Sequence, residues 1–255
     1  MIGHKVIGRG PEKVLMMHDW FCDSTSYDFT QLLWDLDNFT FCFMDLRGYG
    51  KSINMEGECT ADEAVHDVLA LADHLKWDRF HLVGHSMSGL VAQKVAVEHR
   101  ARLKSVIATT PVPACGSPVP DDVLGFLEDA ADRNDESALA IVDMMTGARL
   151  SDGWKQFKVD RWRRTSQSQA RIAYLHMFAQ TDFSNQIQNN DVPLLVIVGE
   201  YDAEGHREEV MQATILKWFP QSTMKVCPNS GHYPMQEAPA YFVKMVEEYV
   251  ASKAG

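Results

Sequence analysis

The chain has 255 residues, of which 45% are hydrophobic and 10% aromatic, so it can bury a large core and is not expected to be disordered. Its formal net charge of −11 argues against a nucleic-acid partner, and the one basic run, Arg161–Arg164, is interpreted as a solvated helix face. There is no apolar stretch of about 18 residues, so no membrane-spanning segment is predicted.

Strand-like and helix-like segments alternate along most of the chain. The strand-like segments are mostly continuous apolar runs, as is typical of parallel strands covered on both faces. They are Lys5–Gly8, Lys13–His18, Phe39–Leu46, Arg79–His85, Leu103–Ala108, Pro193–Gly199 and Met224–Pro228. Helices are predicted at Ser26–Asp37, Ala61–Trp77, Met87–Glu98, Arg207–Phe219 and Pro239–Ser252. The alternation predicts an α/β protein with a doubly wound, mostly parallel sheet and helices on both faces.

The alternation stops between residues 111 and 190, where helical patterns such as ESALAIVDMM occur without convincing strands. This segment is too long to be a loop in a compact domain. We therefore predict a core built from residues 1–110 and 191–255, with a helical cap at 111–190 inserted over the sheet.

The segment VGHSMSG at residues 83–89 marks a sharp change from strand to helix, with Ser86 at the turn. A nucleophile in such a turn needs small neighbours two residues before and after it, because the helix returns close to the strand. Gly84 and Ser88 meet this requirement. We therefore interpret Ser86 as a candidate nucleophile rather than as a simple helix cap.

A serine nucleophile needs a base and a group that orients the base. His232 lies in the turn-rich segment CPNSGHYP directly after a predicted strand, and Asp202 follows the apolar run VPLLVIVG. The order Ser86, Asp202, His232 is the order used in α/β-hydrolases. The residues that compete with Asp202 for its role are Asp191, Glu200 and Glu204.

Four ordered motifs carry a resemblance to a known family: MMHDWF, DLRGYGKS, VGHSMSG and GEYD followed by SGH. With these motifs the chain resembles the α/β-hydrolases of the esterase, lactonase and C–C hydrolase group over nearly all of its length outside the cap. The resemblance implies the α/β-hydrolase fold, a Ser86–His232–Asp202 triad and no cofactor.

The resemblance also implies an oxyanion hole formed by two backbone N–H groups, those of Trp20 and Met87. The sequence departs from the family twice: Asp19 stands where a glycine is usual in the His-Gly-X loop, and Ser88 stands where G-x-S-x-G has its last glycine. A carboxylate at position 19 would oppose a developing negative charge nearby. We therefore expect its side chain to turn away and its backbone to hold a conformation that glycine adopts freely.

No metal or cofactor site is predicted. His81 and His85 lie on a strand without an HExxH pattern, and the five cysteines are scattered without C-x-x-C spacing, which favours free thiols in a cytoplasmic setting. GYGKS lacks the first glycine of a phosphate loop, because Asp45 stands at that position. Apolar residues of the cap and the loop at Trp20 are expected to line a pocket over Ser86: Trp20, Met144, Trp154, Trp162, Tyr174 and Phe178.

The favoured interpretation is a cofactor-free serine hydrolase whose partner is a small, fairly apolar carboxylic ester or lactone. Three alternatives stay open: hydrolysis of a C–C bond in a β-diketone by the same triad, a cofactor-free oxygenase of the same fold, and a ligand receptor or regulator that hydrolyses slowly. The sequence does not define the oligomeric state.

Overall fold

Within residues 1–254, which the computed structural model describes, seven strands form one sheet. In chain order they are β1 (His4–Gly8), β2 (Glu12–Met17), β3 (Phe39–Met44), β4 (Phe80–His85), β5 (Leu103–Thr109), β6 (Leu194–Gly199) and β7 (Ser222–Cys227). Their spatial order is β1-β3-β2-β4-β5-β6-β7. β1 pairs antiparallel with β3, whereas the pairings from β3 through β7 are parallel. The predicted mostly parallel sheet is confirmed.

The register of the central strands brings three loops together at one edge of the sheet. Met17 of β2 is aligned with Gly84 of β4, and His85 is aligned with Thr109 of β5. Every residue of β3, β4 and β6 is buried, so both faces of the central sheet are covered. The carboxyl ends of β2, β4 and β5 therefore point into the same region, where parallel α/β sheets bind ligands.

α-Helices connect the strands from β3 to β7. In chain order the α-helices of residues 1–254 are α1 (Ala61–His74), α2 (Met87–Glu98), α3 (Asp121–Asp132), α4 (Asp135–Met145), α5 (Asp152–Thr165), α6 (Ser168–Gln180), α7 (Glu208–Ala213), α8 (Ile215–Trp218), α9 (Pro234–Glu237) and α10 (Pro239–Ser252). α1 begins at the TADE segment, where the Thr60 hydroxyl accepts a hydrogen bond from the Glu63 N–H at 3.2 Å. This capping supplies an acceptor for one of the free N–H groups at the start of the helix.

Two of the predicted helices are different in the structure. The segment predicted as a helix over Ser26–Asp37 forms a 3₁₀ helix only at Ser24–Thr30 and then continues in turns. The Asp35 carboxylate accepts the N–H groups of Asp37 and Asn38, which replaces the helical hydrogen bonds with a local turn.

The helix predicted at Arg207–Phe219 is divided into α7 and α8 at Thr214. The backbone of Thr214 has φ −122° and ψ −93°, outside the helical region. Its hydroxyl donates to the carbonyl of Val210 at 2.6 Å, a bond that competes with the helical pattern.

Helices α3 to α6 follow β5 and precede β6, and we call this group the cap. The buried guanidinium of Arg171 on α6 links this helix to the end of α3 and to the residue that follows α5. This group donates to the carbonyl of Ala131 at 2.5 Å, of Ser166 at 2.8 Å and of Asp132 at 2.9 Å. A buried charge needs such partners, because leaving it unpaired in the interior is costly.

Candidate active site

The turn after β4 holds Ser86 in an uncommon backbone conformation, φ 55° and ψ −116°. Gly84 makes the turn possible, since a Cβ at that position would lie 2.7 Å from the Ser88 carbonyl carbon and 2.9 Å from the Gly89 Cα. Non-glycine residues at positive φ are uncommon and cluster at functional sites. The strain at Ser86 therefore marks a position whose side chain is held in place by the surrounding packing.

Ser86 belongs to a continuous chain of hydrogen bonds with two other residues, the candidate triad (Ser86, Asp202 and His232). The Ser86 Oγ lies 2.8 Å from His232 Nε2, and His232 Nδ1 lies 2.9 Å and 3.0 Å from the two Asp202 carboxylate oxygens. Asp202 is fully buried in the loop after β6, and its Oδ1 also accepts the Ala203 N–H at 2.7 Å. The geometry matches a nucleophile, a base and a group that orients the base.

Burial controls the protonation of this pair. It lowers the pKa of His232 to about 4, with a further lowering from the positive charge of Lys158 that the Asp19 carboxylate opposes. The same burial raises the pKa of Asp202 to about 7. At mildly alkaline pH the imidazole is therefore neutral and the carboxylate ionised, which leaves His232 Nε2 free to accept a proton from Ser86.

The main chain of His232 is fixed from three directions. His85 Nε2 donates to the His232 carbonyl at 2.7 Å, and the Thr110 hydroxyl donates to the same oxygen at 3.2 Å. The His232 N–H donates to the carbonyl of Met145, the last residue of α4, at 2.9 Å. His85 thus positions the loop that carries His232.

The two predicted oxyanion donors lie on either side of the turn. Met87 is the first residue of α2, and Trp20 lies in the loop after β2. Within residues 1–254 neither backbone N–H has a hydrogen-bond acceptor. His18 anchors the loop, because its Nδ1 donates to the Asp19 carbonyl at 2.7 Å and its Nε2 accepts the Leu46 N–H at 3.0 Å.

The Asp19 side chain is buried and hydrogen-bonded within its own loop, but the expectation of a strained, glycine-like backbone is wrong. Asp19 is not among the residues of 1–254 with positive φ, so it does not need a glycine-like conformation. Its carboxylate accepts the Phe21 N–H at 3.0 Å and the Ser26 hydroxyl at 3.0 Å. The side chain is 1% exposed and stabilises the tight loop from inside.

The six predicted pocket residues differ in their contacts and in their burial. Trp20 contacts Trp162 and Phe178, with ring centroids 4.9 Å and 5.5 Å apart, and Trp154 lies 5.8 Å from Tyr233 beside the base. Tyr174 is buried against Tyr49, at 5.8 Å. Met144 is 55% exposed, the most exposed of the six residues, and its place in the pocket stays a prediction.

An open groove of about 620 Å³ lies elsewhere, between residues 48–59 and α6. None of the residues that line it belongs to the candidate triad. This groove is therefore separate from the candidate triad.

Two further residues lie at the site without having been predicted from the sequence, His206 and Lys158. His206 ends a short 3₁₀ turn, Glu204–His206, and its ring lies 4.5 Å from that of His232. With Asp202 it completes a group of three potential metal ligands whose donor atoms lie within 4.8 Å of one another. The spacing of Asp202 and His206, four residues apart, was the available signal. In this group Asp202 and His232 already bind each other.

Lys158 lies on the cap helix α5. It is fully buried, and its Nζ lies 3.5 Å from the Asp19 Oδ2. A lysine between apolar and aromatic residues in the sequence gives no sign that its ammonium group is inside. The tertiary packing of α5 decides this position.

The parallel sheet, the strained turn at Ser86 and the hydrogen-bonded triad geometry are features of the α/β-hydrolase class. The chain belongs to the alpha/beta hydrolase family, whose profile matches residues 14–245. No helix within residues 1–254 has the length and apolar character to cross a lipid bilayer.

Similar proteins include enzymes that act on esters and lactones. The pimeloyl-[acyl-carrier protein] methyl ester esterase of Aeromonas hydrophila is 25% identical over 257 residues, covering 95% of this chain and 96% of that protein. An esterase from Exiguobacterium antarcticum has a TM-score of 0.84 at 19% identity, with 98% and 95% of the two chains covered. The enol-lactonase of Burkholderia xenovorans has a TM-score of 0.79 at 17% identity, with 98% and 96% covered. These structural likenesses show the fold.

Proposed function

We propose that the protein is a cofactor-free serine hydrolase that cleaves small, fairly apolar carboxylic esters or lactones through an acyl-enzyme. The observation that carries this proposal is the unbroken hydrogen-bond chain from Ser86 through His232 to Asp202. The apolar character of the substrate is supported by the aromatic contacts of Trp20 with Trp162 and Phe178 beside the turn. The esterases and lactonase among the similar proteins favour the same reaction.

In the first half of the reaction, the Ser86 Oγ attacks the ester carbonyl carbon while His232 Nε2 takes the hydroxyl proton. The electron pair of the C=O bond moves to the oxygen, where the N–H groups of Trp20 and Met87 stabilise the negative charge; one such donor is typically worth about 3–4 kcal/mol. The C–O bond then breaks, and His232 returns its proton to the leaving alkoxide. In a lactone the alcohol stays attached to the acyl group.

In the second half, water attacks the acyl-enzyme and gives a proton to His232 Nε2. The bond between the acyl carbon and Ser86 Oγ breaks, and the proton returns to Ser86. Asp202 keeps the imidazole oriented in both halves of the reaction through its two contacts with Nδ1.

The five unpaired thiols support a reducing, cytoplasmic setting for this reaction.

The test is a screen of p-nitrophenyl esters and lactones of increasing acyl length, with the wild type and Ser86→Ala. Turnover is expected for short to medium acyl chains, and Ser86→Ala is expected to lose roughly 10⁴-fold or more. Ser252→Ala is the matched control, because its hydroxyl bonds only the Tyr249 carbonyl at the end of α10. Ester hydrolysis that survives Ser86→Ala would contradict the proposal. Binding without turnover by the wild type would instead support the receptor alternative.

A further inference from the structure

The most unusual charged residue in the structure is Lys158, on the cap helix α5. Its side chain is 0% exposed, and a lysine is almost never fully buried unless it is paired. Its Nζ lies 3.5 Å from Asp19 Oδ2, donates to Gln236 Oε1 at 3.2 Å and lies 3.9 Å from the ring centroid of Tyr233. Asp19 directly precedes Trp20, and Tyr233 directly follows His232. The ammonium group thus lies between the loop that carries Trp20 and the loop that carries His232.

The face of α5 that carries Lys158 is packed along the loop after β2 and the 3₁₀ helix that follows it. Trp162, one turn further along, stacks on Phe21 with ring centroids 4.0 Å apart. Arg161 donates to the Thr25 hydroxyl. Because residues 158, 161 and 162 lie on one side of the helix, α5 and the loop form one packed unit.

Asp19 requires a counter-charge in this location. Burial alone would raise its pKa, but the positive charge of Lys158 is the largest opposing effect, and the pKa is lowered to about 2. Among residues 1–254 the other cationic candidates near Asp19 are three histidines: His85, whose Nδ1 lies 3.7 Å from Oδ1, His18 and His232. Burial lowers the pKa of His85 to about 3 and that of His232 to about 4, so both are uncharged at neutral pH. His18 Nε2 accepts the Leu46 N–H, so that nitrogen carries no proton. Lys158 therefore supplies the charge that balances the Asp19 carboxylate.

We propose that Lys158 is a positioning residue: through its buried pair with Asp19 it holds the loop of Trp20 in place and cancels the negative charge that Asp19 would otherwise add beside the oxyanion. The pair solves the problem raised by an aspartate in place of the usual glycine. The Asp19 carboxylate stabilises the loop by accepting the Phe21 N–H. The positive charge of Lys158 balances this carboxylate, so that it opposes the negative charge of the transition state less. This inference rests on the proposed function, because it concerns the transition state of that reaction.

The pair is also expected to influence the base, because Lys158 Nζ lies 3.9 Å from the ring centroid of Tyr233, the residue that follows His232. This gives a second measurable effect. Several titratable groups face His232 from the elements around it: Asp202 and His206 after β6, His85 on β4, Asp19 after β2, Lys158 on α5 and the adjacent Tyr233. Among them, Lys158 lowers the pKa of His232 and Asp19 raises it. Removing one charge of the pair should therefore shift the acid limb of the pH profile in the direction opposite to that caused by removing the other.

The experiment is a double-mutant cycle of Lys158→Met and Asp19→Asn, assayed on the best ester of the wild type. Lys158→Met is expected to lower kcat by about 30- to 100-fold with KM changed less than threefold, because an unbalanced carboxylate opposes the transition state more than the bound substrate. The double variant, which is neutral at both positions, is expected to recover at least tenfold of that loss. Its acid limb should lie between those of the single variants.

Lys155→Met is the matched control, since Lys155 lies on the same helix and pairs with Asp143 and Asp152 away from the site. It should keep the kcat of the wild type. Fluorophosphonate labelling and thermal unfolding count the folded, active enzyme in each preparation, and kcat is expressed per labelled Ser86.

Two results would overturn the inference while the proposed function stands: a folded Lys158→Met with wild-type kcat, or a double variant no better than Lys158→Met. If Lys158→Met does not fold, Asp19→Asn decides alone. It must move the acid limb to lower pH, and an unchanged limb rejects the inference. A wild type that neither labels at Ser86 nor hydrolyses any ester rejects the proposed function itself, which is a distinct outcome.

Discussion

Gly84→Ala should damage catalysis more than stability, because of where its new methyl group would lie. A Cβ on residue 84 would come within 2.7 Å of the Ser88 carbonyl carbon and 2.9 Å of the Gly89 Cα. Carbon atoms in contact are about 3.5–4.0 Å apart, so the start of α2 must retreat by roughly 1 Å. Since the obstructing atoms belong to the backbone, no change of rotamer relieves the overlap.

That retreat would displace Ser86 from its 2.8 Å contact with His232 and would also move the Met87 N–H. A misplacement of about 1 Å can cost 10²-fold in rate, so we expect kcat to fall by about 100-fold with KM little changed. Overpacking of this kind destabilises a protein by about 1–3 kcal/mol, which should leave the variant folded at room temperature.

The assay compares kcat on p-nitrophenyl esters with the free energy of unfolding from urea titration. Gly125→Ala is the control, since a Cβ there meets no atom within 4 Å and a helix interior gains up to about 1 kcal/mol from alanine. A folded Gly84→Ala within threefold of the wild-type kcat would refute the reasoning, because Ser86 would then not depend on the close approach of α2.

Three further predictions concern the triad. His232→Ala should lose nearly as much activity as Ser86→Ala, and the double variant should be little worse than either, because triad members act as a unit; multiplicative losses in initial-rate assays would contradict this. The rate kcat/KM should fall as the pH drops from about 7 to about 4, because the Asp202–His232 pair takes up a proton in that window; a pH-independent rate over this range would be inconsistent with His232 as the base. EDTA dialysis should leave the rate unchanged, because Asp202 and His232 bind each other; if added zinc restores a lost rate, a metal mechanism replaces the serine one.

The fold and the candidate triad were accessible from the sequence because each depends on local patterns. Buried parallel strands are continuous apolar runs, and the turn at Ser86 needs small residues at fixed offsets on the same short segment. Asp202 and His232 follow such strands directly. Their positions therefore follow from the strand order, and the structure brings them to Ser86.

The missed features have two different causes, one local and one between distant segments. The pattern of Phe29, Leu32, Leu33 and Leu36 has helical spacing, but Asp35 supplies local turn hydrogen bonds that replace helical ones, and Leu32 is 98% exposed. The burial of Lys158 is set by the docking of α5 on a loop more than a hundred residues away, and no local pattern encodes it.

The contact between the cap and the His232 loop limits which insertions and deletions the cap can accept during evolution. The His232 N–H is bound to the Met145 carbonyl, and the adjacent Gly231 is so close to the cap that a Cβ would lie 2.8 Å from the Thr146 Cα. An insertion at the end of α4 would thus alter the distance over which a proton is transferred.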